Sequence, residues 1–159
     1  MTKEQYSPEN LPEWIVAKIK HYCAFQERSI LEVRTKLKTF HLQENVFDAI
    51  INHLIDENFL NEERFAKAFV SDKFRLTKWG KNKIYLALQQ KRVPELFILE
   101  ALSEISQEEY LSVLRQLISK KSRELTEKDF RKRNHKLANF AISRGFEPTL
   151  VWKVLEYKE

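Results

Sequence analysis

Glycine is nearly missing: Gly80 and Gly145 are the only two in a chain of 159 residues. Phosphate loops, dinucleotide-binding turns, two-residue hairpins and nucleophile elbows need glycine where the backbone takes positive φ or closely approaches a ligand. Composition therefore nearly excludes those architectures. The single cysteine, Cys23, can close no intrachain disulfide, which sets aside disulfide-stapled secreted scaffolds and suits a reducing cytosol. No uncharged apolar run approaches the ~18 residues that span a bilayer. Met1 to Glu13 is polar, with acids and prolines rather than a basic segment ahead of an apolar one. The expectation is a cytoplasmic protein with no membrane partner.

Catalytic groups are sparse. His21, His41, His53 and His135 fall at unrelated places, and His21 and Cys23 face apart on a helix with no second Cys/His pair at metal spacing. The acid pairs Glu62-Glu63 and Glu108-Glu109 sit in first helical turns, where carboxylates favour the helix dipole. Cys23 lies in an apolar-rich helix and packs as a small hydrophobe. No catalytic residue, metal or cofactor is expected, and the chain is read as a binding protein rather than an enzyme.

The rest of the composition, 43% hydrophobic and rich in Leu, Ile, Lys, Glu, Arg and Phe, favours helix, and the fold class is all-α. Asn10-Leu11-Pro12-Glu13 opens a first helix, and Ser29-Ile30-Leu31-Glu32 is a capping box ahead of a second. Val46, Phe47, Ile50, Ile51, Leu54 and Ile55 form the stripe of a third. The cycle then recurs. Asn61 caps a helix through Phe65, Ala68, Phe69 and Leu76; one with Ile84 and Leu88 follows Gly80; Pro94 opens one with Ile98, Leu102 and Ile105. Ser106-Gln107-Glu108-Glu109 caps a helix through Leu111, Leu114, Leu117 and Ile118. Phe130, Leu137, Ala138 and Ala141 lie on a helix ending at Gly145, and Pro148 opens the last.

These segments superpose as three copies of one unit. Leu37, Leu88 and Ala141 each stand five residues before an apolar turn residue, Leu42, Val93 and Phe146, and the following helices match as Ile50/Leu54, Ile98/Leu102 and Val151/Leu155. The reading is three tandem three-helix repeats, 1–60, 61–105 and 106–159, forming an elongated, curved helical array. No helix shows a long unmatched apolar seam, which points to a monomer.

Positive charge is concentrated in two stretches. Residues 71–92 hold seven Lys/Arg against one acid, and 115–136 hold nine against three, in a chain of net charge +5. Lys73, Arg75, Lys78, Trp79, Lys81 and Lys83 bracket Gly80, where one helix hands over to the next, so cations from two helices converge around an aromatic. Arg131, Lys132, Arg133 and Lys136 form a basic face of one helix, and Arg144 follows near its end. A polyanion, either single- or double-stranded DNA or an acidic protein groove, suits both clusters. Solvated lysine-rich helix faces, with Trp79 merely covering the corner, are the plainer alternative.

Phe59-Leu60-Asn61-Glu62-Glu63-Arg64-Phe65-Ala66, then Phe69-Val70, Lys73, Arg75, Gly80, Ile84 and Leu88, resemble the RecX family of bacterial recombination regulators. Arg28-Ser29 with Glu32-Val33 and Lys36-Leu37, and Arg144-Gly145-Phe146, are similar to two further family segments. The resemblance runs from about Tyr22 to Tyr157. Val33 stands where Leu is usual, Asn61 where Asp is common, and Lys91-Arg92-Val93 where the family has Lys-Gly-Val or Lys-Gly-Ile. The resemblance implies three tandem three-helix repeats. It also implies a non-enzymatic role: binding the RecA recombinase and the RecA-DNA filament and suppressing ATPase and strand exchange, thereby modulating recombination and DNA repair. A helical nucleic-acid-binding protein acting without a recombinase, and a scaffold touching no nucleic acid, are the alternatives.

Overall fold

A computed structural model describes residues 6–156; Met1 to Gln5 and Tyr157, where the resemblance ends, lie outside the described residues. Nine helices and no named strand occur among the described residues: α1 (Glu13–Phe25), α2 (Ile30–Lys38), α3 (Glu44–Asp56), α4 (Glu62–Arg75), α5 (Lys81–Gln90), α6 (Glu95–Ser103), α7 (Gln107–Glu124), α8 (Phe130–Ser143) and α9 (Pro148–Glu156). None of them is long and apolar enough to cross a membrane.

Helix starts follow local side-chain chemistry. Ser29 Oγ accepts from the Glu32 amide while Glu32 accepts from the Ser29 amide, closing the capping box. Asn61, Ser106 and Asp129 each accept from the amide three residues on. The first helix starts within Asn10-Leu11-Pro12-Glu13 as read, with Pro12 at the N-cap position and no side chain capping it. Three residues assigned to apolar stripes are exposed, namely Ile55 at 43%, Leu76 at 78% and Phe130 at 70%. Leu76 and Phe130 stand at helix ends, where no further turn carries the stripe onto a neighbour.

The repeat is written into the backbone. His41, Arg92 and Gly145 immediately precede the three matched turn residues, and all take left-handed conformations, with φ of 55°, 59° and 101°. The amides of Val93 and Phe146 then reach back to the carbonyls of Leu88 and Ala141, at 3.2 Å each. Arg92 thus adopts a turn geometry usually served by glycine, at a cost of about 1–2 kcal/mol.

Within each group of three, α1 packs on α2 and α2 on α3; α4, α5 and α6 pack mutually; α7 packs on α8 and α8 on α9. The cores divide unevenly. One buried cluster runs from Ile15 to Leu60 and stays within α1–α3 and the following turn. The other runs from Phe65 to Leu155 and is shared by α4–α9. The accessible surface of 10446 Å² exceeds the about 8400 Å² expected of a compact monomer of 19.1 kDa, as an elongated row requires.

The junction between the first three helices and the rest is polar. Arg64 Nε donates to Glu27 Oε1 at 2.8 Å, the Ile30 amide donates to Glu62 Oε2 at 3.2 Å, and Lys91 Nζ lies 3.7 Å from Glu32 Oε2. Burial raises the Glu62 pKa above the ordinary carboxylate value, against the lowering effect of the Ile30 amide. Folding therefore favours protonated Glu62, and this contribution to stability is present at acid pH and lost as pH rises through the raised pKa. Glu62→Gln keeps an acceptor for Ile30 and removes the charge. We expect its urea midpoint to exceed wild type at neutral pH, with the advantage shrinking as pH falls. A midpoint below wild type at neutral pH would mean that the ionic hydrogen bond outweighs burial.

Candidate functional site

The handover from α4 to α5 is held by the third group of helices. The Gly80 amide donates to Arg144 O at 2.8 Å and the Asn82 amide to Gly145 O at 2.9 Å, while the Lys81 amide donates to the Tyr110 hydroxyl at 3.0 Å. The amides of Gly80, Lys81 and Asn82 are thereby used within the protein. These three amides are therefore not open to an anion, and what the corner presents outward is chiefly its side chains.

The two glycines of the chain meet here. A Cβ on Gly80 would stand 2.3 Å from both Gly145 C and Phe146 N, and one on Gly145 would stand 2.3 Å from Lys83 Cβ. Behind them, Tyr110 is buried between Phe74 and Phe146, with ring centroids 5.7 and 5.1 Å away. Its hydroxyl donates to Glu147 Oε1, and burial pushes the phenol pKa well above its ordinary value. The sequence reading missed Tyr110; its one signal was an aromatic with a polar tip directly after a capping box.

On the outer side, Trp79 packs against the shared core by part of its surface. Lys73 Nζ and Lys83 Nζ lie 4.8 and 4.5 Å from its ring centre. Lys78 follows α4 in a left-handed conformation with φ of 62°, and Lys81 Nζ lies 4.8 Å from the Tyr110 ring centre. Among the described residues, none of these four lysines is in an ion pair. Lys73, Lys81 and Lys83 rest on aromatic faces, each such contact worth about 0.5–1 kcal/mol when exposed.

The other basic residues singled out are placed differently. Arg75 is engaged bidentately by Glu109, at 3.1 and 3.2 Å, and ties α4 to α7. Arg133 donates to Ser122 O, Ser122 Oγ, Leu125 O and Glu127 O, satisfying carbonyls that the end of α7 leaves open. Lys136 pairs with Glu127 at 3.3 Å. Arg131 and Lys132 are exposed at the start of α8, and Arg144 stands just past its end, beside the corner. At 1.5 Å per residue these two places are about 20 Å apart. The structure gathers Lys73, Lys78, Trp79, Lys81, Lys83 and Arg144 into one region and leaves the start of α8 as another.

Residues 61–102 match the family model described as RecX, second three-helix domain, and residues 107–155 match the one described as RecX, third three-helix domain. The chain belongs to the RecX family. A Regulatory protein RecX of Clostridium perfringens (strain 13) is 35% identical over 118 residues, covering 73% of this chain and 55% of the relative. One of Lactobacillus gasseri is 27% identical over 135 residues, covering 85% of this chain and 50% of the relative. The chain spans about half the length of these curated relatives. The crystal structure of RecX from Lactobacillus salivarius has the same fold, with a TM-score of 0.81 over 89% of this chain and 92% of that one at 21% identity. A second RecX crystal structure has a TM-score of 0.80 over 90% of this chain and 73% of that one, at 22% identity.

Burial pushes the Cys23 thiol up to about 11, so it carries no thiolate at neutral pH and serves the first core as a small hydrophobe. What this RecX-family chain offers to chemistry at the corner is charge and flat aromatic surface.

Proposed function

We propose that this protein regulates the RecA recombinase by binding RecA and its DNA filament, lowering ATPase and strand-exchange activity and so modulating recombination and DNA repair. Membership of a family whose curated relatives are named regulatory proteins supports the reading. The observation that carries its mechanism is the set of unpaired lysines around Trp79, ready for DNA phosphates or acidic filament surface. An elongated row of repeats, divided at 60/61 and 105/106, can touch successive subunits of a helical filament, so that modest contacts add through effective concentration.

The test is the ATPase rate of RecA on single-stranded DNA, titrated with this protein at two salt concentrations. We expect the rate to fall. A fall well below RecA stoichiometry would indicate capping of filament ends, and a fall only near stoichiometric amounts would indicate binding along the groove. No fall at either salt, with the protein folded, would overturn the reading in favour of a helical nucleic-acid-binding protein that acts without a recombinase.

Reversing Lys78 and Lys81 to Glu would test the corner, but the Lys81 ammonium lies over Tyr110, so its reversal also puts a carboxylate near the seam. Lys73→Gln with Lys83→Gln is cleaner because it removes both cations facing Trp79 and retains much of their length. If phosphates are the partner, log K against log salt should become shallower by about 0.7 per lost phosphate contact on single strands, or about 0.9 on duplex. An unchanged slope and affinity would remove this corner from the DNA contact.

A further inference from the structure

The first three helices carry a second basic and aromatic surface, remote in sequence from the lysine corner. An open groove of about 490 Å³ is lined by Lys18, His21, Tyr22, Phe25, Arg28 and Lys36, with three fixed positive charges and no acid on its wall. The rest of this part of the chain is different in sign: residues 1–60 hold 7 basic and 9 acidic side chains. The neighbouring acids face other duties, since Glu27 engages Arg64 and Glu32 serves the Ser29 amide and Lys91. A positive wall on an otherwise acidic segment is a local feature, not a share of the overall charge.

Arg28 is held in place by Tyr22. Its Nε donates to Tyr22 O at 3.0 Å, and its guanidinium lies 3.7 Å from the Tyr22 ring centre. Among the described residues, its two terminal amino groups have no hydrogen-bond or ion-pair partner. That leaves a fork whose orientation is already fixed, the geometry that a phosphate or carboxylate accepts bidentately. Lys36 Nζ lies 5.7 Å from the same ring and Lys18 Nζ 5.3 Å from the Trp14 ring, and neither is in an ion pair among the described residues.

Beside this fork, Phe25 ends α1 with 76% of its surface exposed. A bare phenyl ring is costly in water and offers no hydrogen bond, so it gains from a flat partner. A nucleotide has a flat, weakly polar base next to an anionic phosphate, which matches Phe25 beside Arg28. An acidic peptide would satisfy the cations, but an Asp or Glu side chain brings no flat ring to cover Phe25.

We infer that this groove is a single-strand nucleic-acid site, with a phosphate in the Arg28 fork, Lys36 and Lys18 along the backbone, and an unstacked base on Phe25. It is independent of any recombinase, and the protein alone should show it.

The experiment is fluorescence anisotropy of labelled oligo-dT, and of a labelled duplex of equal length, with the 159-residue wild type, Phe25→Ala and Arg28→Lys. Circular dichroism verifies the fold. Phe25 is exposed, so its truncation should leave the fold intact. Loss of one base stack should weaken oligo-dT binding about 5- to 100-fold while duplex binding stays within twofold. Arg28→Lys, which keeps the charge and removes the fork, should also weaken oligo-dT binding. Equal losses on oligo-dT and duplex would reduce the groove to general phosphate attraction and overturn the inference. Unchanged oligo-dT affinity in both variants would overturn it too, as would oligo-glutamate displacing oligo-dT from wild type with no effect of Phe25→Ala. If the groove variants fail while Lys73→Gln/Lys83→Gln retains its effect, only the groove is lost and the lysine corner stands.

Discussion

Gly80→Ala should cost the protein about 3–5 kcal/mol, a large part of the 5–15 kcal/mol by which domains of this kind are stable. The added Cβ has no flexible neighbour to push aside, because the atoms 2.3 Å away are backbone atoms of Gly145 and Phe146. Overpacking of this sort costs about 1–3 kcal/mol. Moving α5 off the Gly145 turn then lengthens the bonds from the Gly80 and Asn82 amides, at 2.8 and 2.9 Å, and the Lys81 amide bond to Tyr110, each worth about 0.5–1.5 kcal/mol. Urea denaturation would read the loss as a lower midpoint at similar slope. Gln89→Ala, on the exposed side of α5, should stay within about 0.5 kcal/mol of wild type as a control. A Gly80→Ala midpoint as close as the control would show that the turn yields and that the glycine contact is not what holds α5 to α8 and α9. Since Trp79 precedes this turn and Lys83 Cβ lies against it, the same substitution should also weaken whatever binds the lysine corner.

That seam marks the limit of what the chain shows before it is folded. Helix starts are legible because a cap is chemistry within one turn: Ser29, Asn61 and Ser106 could be named from their neighbours. The repeat is legible because apolar positions recur at fixed offsets, and His41, Arg92 and Gly145 share a turn conformation despite being three different residues. Contacts between repeats are another matter. Nothing local says that Gly80 faces Gly145, or that Tyr110 closes the space behind them. The same holds for charge. A count of basic residues treats Arg75, Arg133 and Lys78 alike, yet Glu109 engages the first and open carbonyls at the end of α7 engage the second. Only placement separates a cation available to a partner from one used in the fold. The Arg28 fork went unnoticed for the same reason, because its arrangement depends on the Tyr22 carbonyl and ring six residues earlier.

Leu54→Ala and Phe74→Ala should unfold different halves of the molecule. Both side chains are fully buried, but Leu54 belongs to the core confined to α1–α3 and Phe74 to the core shared by α4–α9. Truncating a buried Leu costs about 2–5 kcal/mol and a buried Phe about 3–5 kcal/mol. Where the loss is felt depends on what couples the two cores. The junction includes the Glu27–Arg64 and Glu32–Lys91 pairs, the Ile30–Glu62 bond and the two bonds from Arg64 to Asn58 Oδ1 and O, and partly exposed pairs each contribute about 0–1 kcal/mol. We expect such coupling to be too weak to spread a core defect across the junction. Amide hydrogen exchange should therefore accelerate by roughly 30-fold or more in α1–α3 of Leu54→Ala, with α4–α9 unchanged. Phe74→Ala should accelerate α4–α9, including α8 and α9, and spare α1–α3. Acceleration throughout the chain in Leu54→Ala would show a single cooperative unit and a junction stronger than its ion pairs. Because salt screens the partly exposed pairs, independence of the first three helices should grow with ionic strength. If exchange in Leu54→Ala does stay within α1–α3, the first unit opens separately with its own basic groove, while the lysine corner stays with the core shared by α4–α9.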